Sequence, residues 1–456
     1  MKNWIALALC LAAASPAAAR EPRSYYPGRE HVEWSRDAVI YQINTRQFSE
    51  EGTIDAARAQ LPRLAEMGVD ILWLMPIHPI GEEKRKGSLG SPYSIRDYKA
   101  VRDDLGSMED FKAFVDEAHG LGMKVILDWV ANHTAWDHPW VSEHPDWYQR
   151  TRTGGLIYPF DWTDIVVLDY ENPELRAAMK DAMRFWVEEA GIDGYRADVA
   201  GFVPPPFWDE VRAELEAIKP VWLLAEYEGR DLHDSFDATY FWEWEKVLRK
   251  LGKGEAGPGA LWSLYDTQAV EWPSGAQRMI FTSNHDENTW AGTAAERLGP
   301  ALPNAFTLLF TAHGIPLIYN GQEAGLAKRL EFFEKDPIEW RDHPNAALFN
   351  DWIAFRDANP ALHNAPWGGP MVRVPNSEEA KAFTFVRSAD GNAVFVAQNY
   401  SDKTIRITLG DMPHAGTWVD KSVSSAQADG DRYELEEGAS LTLDPWSSIV
   451  AWRSLD

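Results

Sequence analysis

Four short apolar runs, each opening onto ionisable side chains at its far end, limit what this 456-residue chain can fold into. They are Val125-Ile-Leu-Asp-Trp-Val-Ala-Asn-His133, Gly194-Tyr-Arg-Ala-Asp198, Val221-Trp-Leu-Leu-Ala-Glu226 and Met279-Ile-Phe-Thr-Ser-Asn-His-Asp286. A strand that is apolar on both faces belongs in a parallel sheet covered by helices, where both faces leave water. Polar groups are then confined to the point where the strand emerges. A (β/α)8 barrel builds its active site in this way, at the C-terminal strand ends.

The sequence between the runs alternates accordingly. Residues 38–44 read as a first strand and 54–67 as a helix with Leu61, Leu64 and Met67 on one face, closed by Gly68. Strand 71–75, helix 108–121 and strand 125–129 continue the pattern. Helix 173–190 leads into the strand that ends at Asp198, and Pro204-Pro-Pro206 opens the helix before strand 221–226. Residues 235–239, 279–284 and 314–323 read as strands six, seven and eight, and helix 346–358 completes the barrel. Beyond Asn359-Pro360 the period changes to two. Residues 383–387 and 393–399 flank Asp390-Gly391, a hairpin signal, and 404–409 and 447–452 add strands. A small antiparallel β-sandwich is expected at 365–456.

On a strand, side chains two residues apart share a face, so Arg196 and Asp198 are expected to point the same way. A guanidinium there favours an ionised carboxylate. Glu226 follows Val-Trp-Leu-Leu-Ala, and an apolar setting favours a carboxyl that keeps its proton.

The net charge of −26 disfavours nucleic acid and anionic membrane surfaces as partners. The 22 Trp and 15 Tyr residues are mostly packing residues, yet such rings also stack on the apolar faces of sugars. At the N-terminus, Met1-Lys-Asn, an apolar segment from Trp4 to Ala14 and small residues up to Ala19 read as a secretory signal peptide. The segment is too short to span a bilayer. The single cysteine, Cys10, lies inside it, with Leu9 where a lipoprotein signal wants a small residue. An exported protein, periplasmic or extracellular, free of cysteine and of the membrane after cleavage at 1–19, is expected.

Taken in order, the four runs resemble the signature regions of the α-amylase family of glycoside hydrolases, and the resemblance covers about residues 36 to 360. It implies a catalytic barrel at 20–133 and 173–364, with a small second domain inserted at 134–172. That segment carries Trp136, Trp140, Trp147 and Trp162, most of them expected to staple it to the barrel. The resemblance further implies Asp198 as nucleophile, Glu226 as general acid and base, and Asp286 as the carboxylate that stabilises the transition state. Arg196 would orient Asp198, His133 and His285 would bind sugar hydroxyls, and Asp128 would hold the site together. Tyr93 would stack on the sugar ring, with Asp97 and Tyr98 completing its motif. Asn132 matches a family calcium ligand, but Gly201-Phe202 stands where calcium-dependent members have Lys-His, so calcium is expected to be optional or absent. With Val199 after the nucleophile, that departure resembles members acting on oligosaccharides. The expected activity is retaining hydrolysis of α-1,4 bonds in starch fragments or maltodextrins. Alternatives are an α-glucan transferase, α-glucosidase or isomerase of the same family and, from another class, a non-catalytic binding subunit. No other cofactor is implied.

Overall fold

The computed structural model describes residues 28–422 and 432–455. The expected leader at 1–19, Cys10 included, lies outside the described residues. Barrel strands β1 (Ile40–Ile43), β2 (Ile71–Leu74) and β3 (Lys124–Trp129) are followed by two short strands outside the barrel, β4 (His133–Ala135) and β5 (Ile165–Val167). Then come β6 (Gly194–Ala197), β7 (Trp222–Ala225), β8 (Ala238–Tyr240), β9 (Gln277–Phe281) and β10 (Ile315–Tyr319). They close in the order β1-β10-β9-β8-β7-β6-β3-β2, every neighbouring pair parallel.

Alternation along each strand divides its residues between two cores. Ile71, Trp73, Ile126, Trp222, Leu224 and Phe281 fill the barrel interior. Their neighbours Leu72, Leu74, Val125, Leu127, Tyr195 and Leu223 face the helical layer. Trp222→Ala would empty the centre of the inner core at a cost of roughly 3–5 kcal/mol. Strand β6 lies so near β7 that a Cβ on Gly194 would meet the Trp222 carbonyl oxygen at 1.8 Å, and Gly194 also has φ 153°. No side chain fits there, and this close approach carries Arg196 into the barrel.

The helices obey their end signals. Met108–Gly120 starts on a capping box between Ser107 and Asp110, and Pro173–Ala190 on the Asn172 side chain, which accepts from the Glu174 and Leu175 N–H groups. The expected single helix at 54–67 is two, Ile54–Arg58 and Leu61–Met67. Pro62 cannot donate to Arg58, and its ring clashes with that carbonyl, so the first helix stops there. Gly68, at φ 89°, caps the second as expected.

Between β3 and helix Pro173–Ala190 the chain rises over the barrel rim. Strands β4 and β5 pair antiparallel, with Pro139–Glu143 helical between them. Trp140 packs on Trp147 and Tyr98, whereas Trp162 faces the cleft described below.

Past residue 365 the strands are β11 (Val372–Arg373), β12 (Ala382–Ala389), β13 (Asn392–Asn399), β14 (Ile405–Thr408), β15 (Gly416–Asp420), β16 (Arg432–Leu435), β17 (Ser440–Leu443) and β18 (Ser448–Ser454). Six form one antiparallel sheet, while β14 and β17 form a second. Phe395 and Trp418 from the large sheet share a core with Ile407 and Leu443 from the small one. Asp390 and Gly391, both at positive φ, turn β12 into β13. Buried Arg387 on β12 reaches into the barrel. It donates to the carbonyls of Thr311 and Ala312 at the end of helix Leu302–Thr311, and to those of Leu362, His363 and Gly369. Among the described residues no helix is long and apolar enough to cross a membrane.

Candidate active site

Arg196, fully buried on β6, is the hub of the C-terminal rim. Its Nη1 donates to Asp128 Oδ1 at 2.8 Å and to Asp198 Oδ1 at 3.0 Å, and its Nη2 lies 3.0 Å from Glu226 Oε1. Its Nε donates to the Tyr240 hydroxyl, and the guanidinium lies over the rings of Trp73, Tyr93 and Tyr240. Burial opposes that charge, but Asp128 and Glu226 outweigh it and hold Arg196 cationic. Asp198 follows β6 directly and Glu226 follows β7, which is why both carboxyl groups reach one guanidinium.

The two carboxyls differ in proton affinity. Burial, then the charges of Asp198 and Asp286, push Glu226 up to about 8 against the pull of Arg196. Burial also lifts Asp198, to about 7, with Asp128 and Asp286 adding to it. The expectation that Arg196 keeps Asp198 in the ordinary carboxylate range fails in this respect, because loss of water outweighs the ion pair. Both carboxyls are thus raised by burial while sharing one guanidinium.

Asp128, wholly buried, accepts from Trp73 Nε1 at 3.1 Å and the Tyr93 hydroxyl at 3.0 Å as well as from Arg196. Burial pushes it to about 6. His285 pairs through Nδ1 with Gln42 Nε2 at 2.7 Å and through Nε2 with the Tyr93 hydroxyl at 2.7 Å. With Gln42 donating, the proton sits on Nε2, so His285, Tyr93 and Asp128 form one chain of donors. Burial lowers His285 and His133 to about 4, so both rings are neutral near pH 7. His285 Nε2 also lies 3.3 Å from Asp286 Oδ2, which brings the third carboxyl to the same rim.

These groups open into a cleft of about 590 Å³ lined by Tyr93, His133, Asp198, Glu226, His285 and Asp286. Tyr93 lies parallel to His285 and to Phe332, and Phe332 packs on Trp290, which is 58% exposed. On the other wall Trp162 packs between His133 and Phe160, and Phe160 beside Phe202. Two aromatic surfaces therefore run outward from the carboxyl cluster. Asp198, Glu226, Asp286, Tyr93, His133 and His285 line the cleft as expected, while Asn132 and the buried Arg196 and Asp128 do not. Tyr98 and Asp97, expected to complete the Tyr93 motif, do not: Tyr98 is buried beneath the inserted segment and Asp97 caps a turn at Lys99.

Asn132 fails as a metal ligand on the chemistry around it. Calcium wants about six to eight oxygens. Tyr98 donates to the carbonyls of Val130 at 2.8 Å and His133 at 3.0 Å, Tyr170 to Ala131 at 2.6 Å, and the Leu168 N–H to Asn132 at 3.0 Å. The Asn132 amide pairs with His133 Nδ1 at 3.1 Å. Among the described residues no group of three or more His, Cys, Asp or Glu could hold a metal ion. The residues present do not fit a calcium centre there.

Several participants escape sequence reasoning. Tyr240 and Trp73 are apolar-run residues with nothing to mark them as partners of Arg196 and Asp128. Val199 takes φ 37° and ψ 46°, a left-handed conformation rare for a β-branched residue. Trp290 sits on the π-helical turn Glu287–Ala291 just after Asp286, and its closeness to Asp286 was the one available signal.

Fold and rim together make a closed (β/α)8 barrel with Asp198, Glu226 and Asp286 at its C-terminal rim. The family model for the alpha amylase catalytic domain matches residues 33–165 and 147–218. The chain is 28% identical over 445 residues to an alpha-amylase from Haloarcula japonica, covering 92% of this chain and 62% of that one. It is also 28% identical over 414 residues to an alpha-1,4-glucan:maltose-1-phosphate maltosyltransferase from Salinibacter ruber, covering 80% and 60%. The chain thus spans about three fifths of the length of these two relatives. Among solved structures, a noncanonic maltogenic alpha-amylase from Thermotoga neapolitana superposes with a TM-score of 0.83 at 29% identity, covering 92% of this chain and 99% of the other.

Proposed function

We propose that the protein is an exported retaining glycosidase that hydrolyses α-1,4 bonds of maltodextrins or starch fragments. The observation that carries this reading is the single Arg196 guanidinium shared by Asp198 and Glu226, with Glu226 holding its proton to higher pH. Retaining glycosidases work with carboxyl groups about 5 Å apart and divided in this way. Asp198 attacks the anomeric carbon, the glycosidic C–O bond breaks, and the Glu226 proton passes to the leaving oxygen. Glu226, now a carboxylate, takes a proton from water as that water attacks the same carbon and frees Asp198. Asp286 faces the positive charge that develops on the ring, and neutral His133 and His285 bind its hydroxyls. Three carboxyl groups converging on one cleft favour catalysis over a binding-only role. Calcium enters no step.

A second reading, transfer to a sugar acceptor, is favoured by the maltosyltransferase relative. Incubation with maltoheptaose and with pullulan, with Asp198→Asn as the blank, tests both. Shorter maltodextrins that vanish in the blank support hydrolysis, products longer than the substrate move the reading to transfer, and no reaction on either rejects α-1,4 hydrolysis.

A further inference from the structure

Beneath the cleft wall lies a small cavity whose free volume, about 10 Å³, admits the centre of one water-sized particle. Its lining mixes apolar groups, Met75, Pro76, Pro92, Leu105 and Phe332, with Asn44, Thr45, Arg46 and Arg102. Three donors on those last residues, Thr45 Oγ1, Arg46 Nε and Arg102 Nη1, are buried and have no hydrogen-bond partner. Buried donors left unpaired cost about 1–3 kcal/mol each, more on charged groups, so three around one cavity call for an acceptor.

The local charge narrows what that acceptor is. Burial first, then the neighbouring Arg102, lower the Arg46 guanidinium to about 10, and Arg85 adds a third positive charge. The facing carboxylates are Asp104, paired with Arg102 Nε at 2.6 Å, and Glu334, which is engaged by Ser88. Asp104 is about half exposed, so neither brings an acceptor into the cavity. In a chain of net charge −26 this is an isolated, water-poor cationic spot.

We propose that the cavity binds a small monovalent inorganic anion, a halide such as chloride, between Arg46, Arg102 and Thr45. A halide accepts from several donors at once and tolerates apolar walls, which suits three donors set among proline, leucine and phenylalanine better than a water, itself obliged to donate. The site bears on the cleft through Arg46. Its guanidinium donates to the carbonyls of Leu89 and Gly90, in the loop that leads to Tyr93, and of Phe332, whose ring stacks on Tyr93. The anion would thus pin both loops from below.

The test reads binding, not turnover, so its outcome is independent of the proposed activity. Thermal unfolding of the purified protein is followed in sodium chloride against sodium methanesulfonate at equal ionic strength, alongside diffraction from crystals soaked in sodium bromide. Chloride should raise Tm by at least about 2 °C, and an anomalous bromide peak should sit between Arg46 and Arg102. Arg102→Gln should abolish both. No salt-specific shift with only water in the cavity overturns the proposal, and so does a shift that persists in Arg102→Gln. Where that variant does not fold, the bromide map of the unaltered protein decides alone.

Discussion

Val199 donates its backbone N–H to Glu226 Oε2 at 2.8 Å while held in a left-handed conformation. The residue next to the proposed nucleophile therefore orients the proposed acid, and it does so with a β-branched side chain in a backbone region that disfavours it. Strain of this kind is worth about 1–3 kcal/mol and persists at functional sites.

Relaxing it should make the fold more stable. Val199→Gly removes the steric conflict but adds about 0.5–1 kcal/mol of chain entropy in the unfolded state, for a net gain near 1 kcal/mol. The kcat should fall, because the backbone N–H that Glu226 accepts from is kept but held less rigidly. Urea unfolding and steady-state kinetics measure the two, and a loss of stability above about 1 kcal/mol would show that Val199 is not strained.

The rate should depend on pH in a narrow bell. Activity requires Asp198 ionised and Glu226 protonated, so kcat/KM should fall below about pH 7 as Asp198 takes a proton and above about pH 8 as Glu226 loses one. Glu226→Gln should abolish the alkaline limb along with most of the rate on maltodextrins. An optimum near pH 4 would contradict the assigned division.

Stability should move with pH in a related way. Asp198 holds its proton in the folded chain to about 7, against an ordinary value of 3.8, so the unfolded chain ionises first. The residue costs nothing below pH 3.8 and destabilises increasingly as pH rises to 7. Asp198→Asn should therefore raise stability at pH 8, by on the order of 2 kcal/mol, with little gain at pH 4. Equal gains at both values would refute the assigned shift.

Trp290 should matter only to longer substrates. Its exposed ring stands at the outer end of the Tyr93–Phe332 surface, beyond the carboxyl cluster. Trp290→Ala should raise KM for maltoheptaose about tenfold, roughly 1.4 kcal/mol, and leave maltotriose and kcat nearly unchanged. A uniform loss on both sugars would place the ring elsewhere in the mechanism.

A chelator should have no effect. Tyr98 and Tyr170 satisfy the carbonyls between β3 and β4, so EDTA should alter neither Tm nor rate. Tyr170→Phe should instead lower stability by about 1–3 kcal/mol, with no rescue by added calcium. Reversible inactivation by EDTA would sink this account.

The barrel was legible because two-sided apolar strands and helix ends are local signals: Gly68 closes one helix and Pro204 stands just before another, as read. Asp198, Glu226 and Asp286 stand at strand ends for the same reason. What the sequence hid is set by contacts distant in the chain. Nothing near Tyr240 announces a bond to Arg196, 44 residues away. The balance that lifts Asp198 despite Arg196 depends on how much water the fold removes, which no spacing reports. Pro62 did carry its signal, and reading 54–67 as one helix overlooked it.

Arg387 has a bearing beyond its hydrogen bonds. Four barrel carbonyls, two of them at the end of a helix, find their donor on a strand of the C-terminal sheets. Neither part has a complete inventory of partners by itself. Barrel and sheets should then melt as one cooperative unit, with a single calorimetric peak, and excising the sheets should yield aggregation rather than a smaller enzyme.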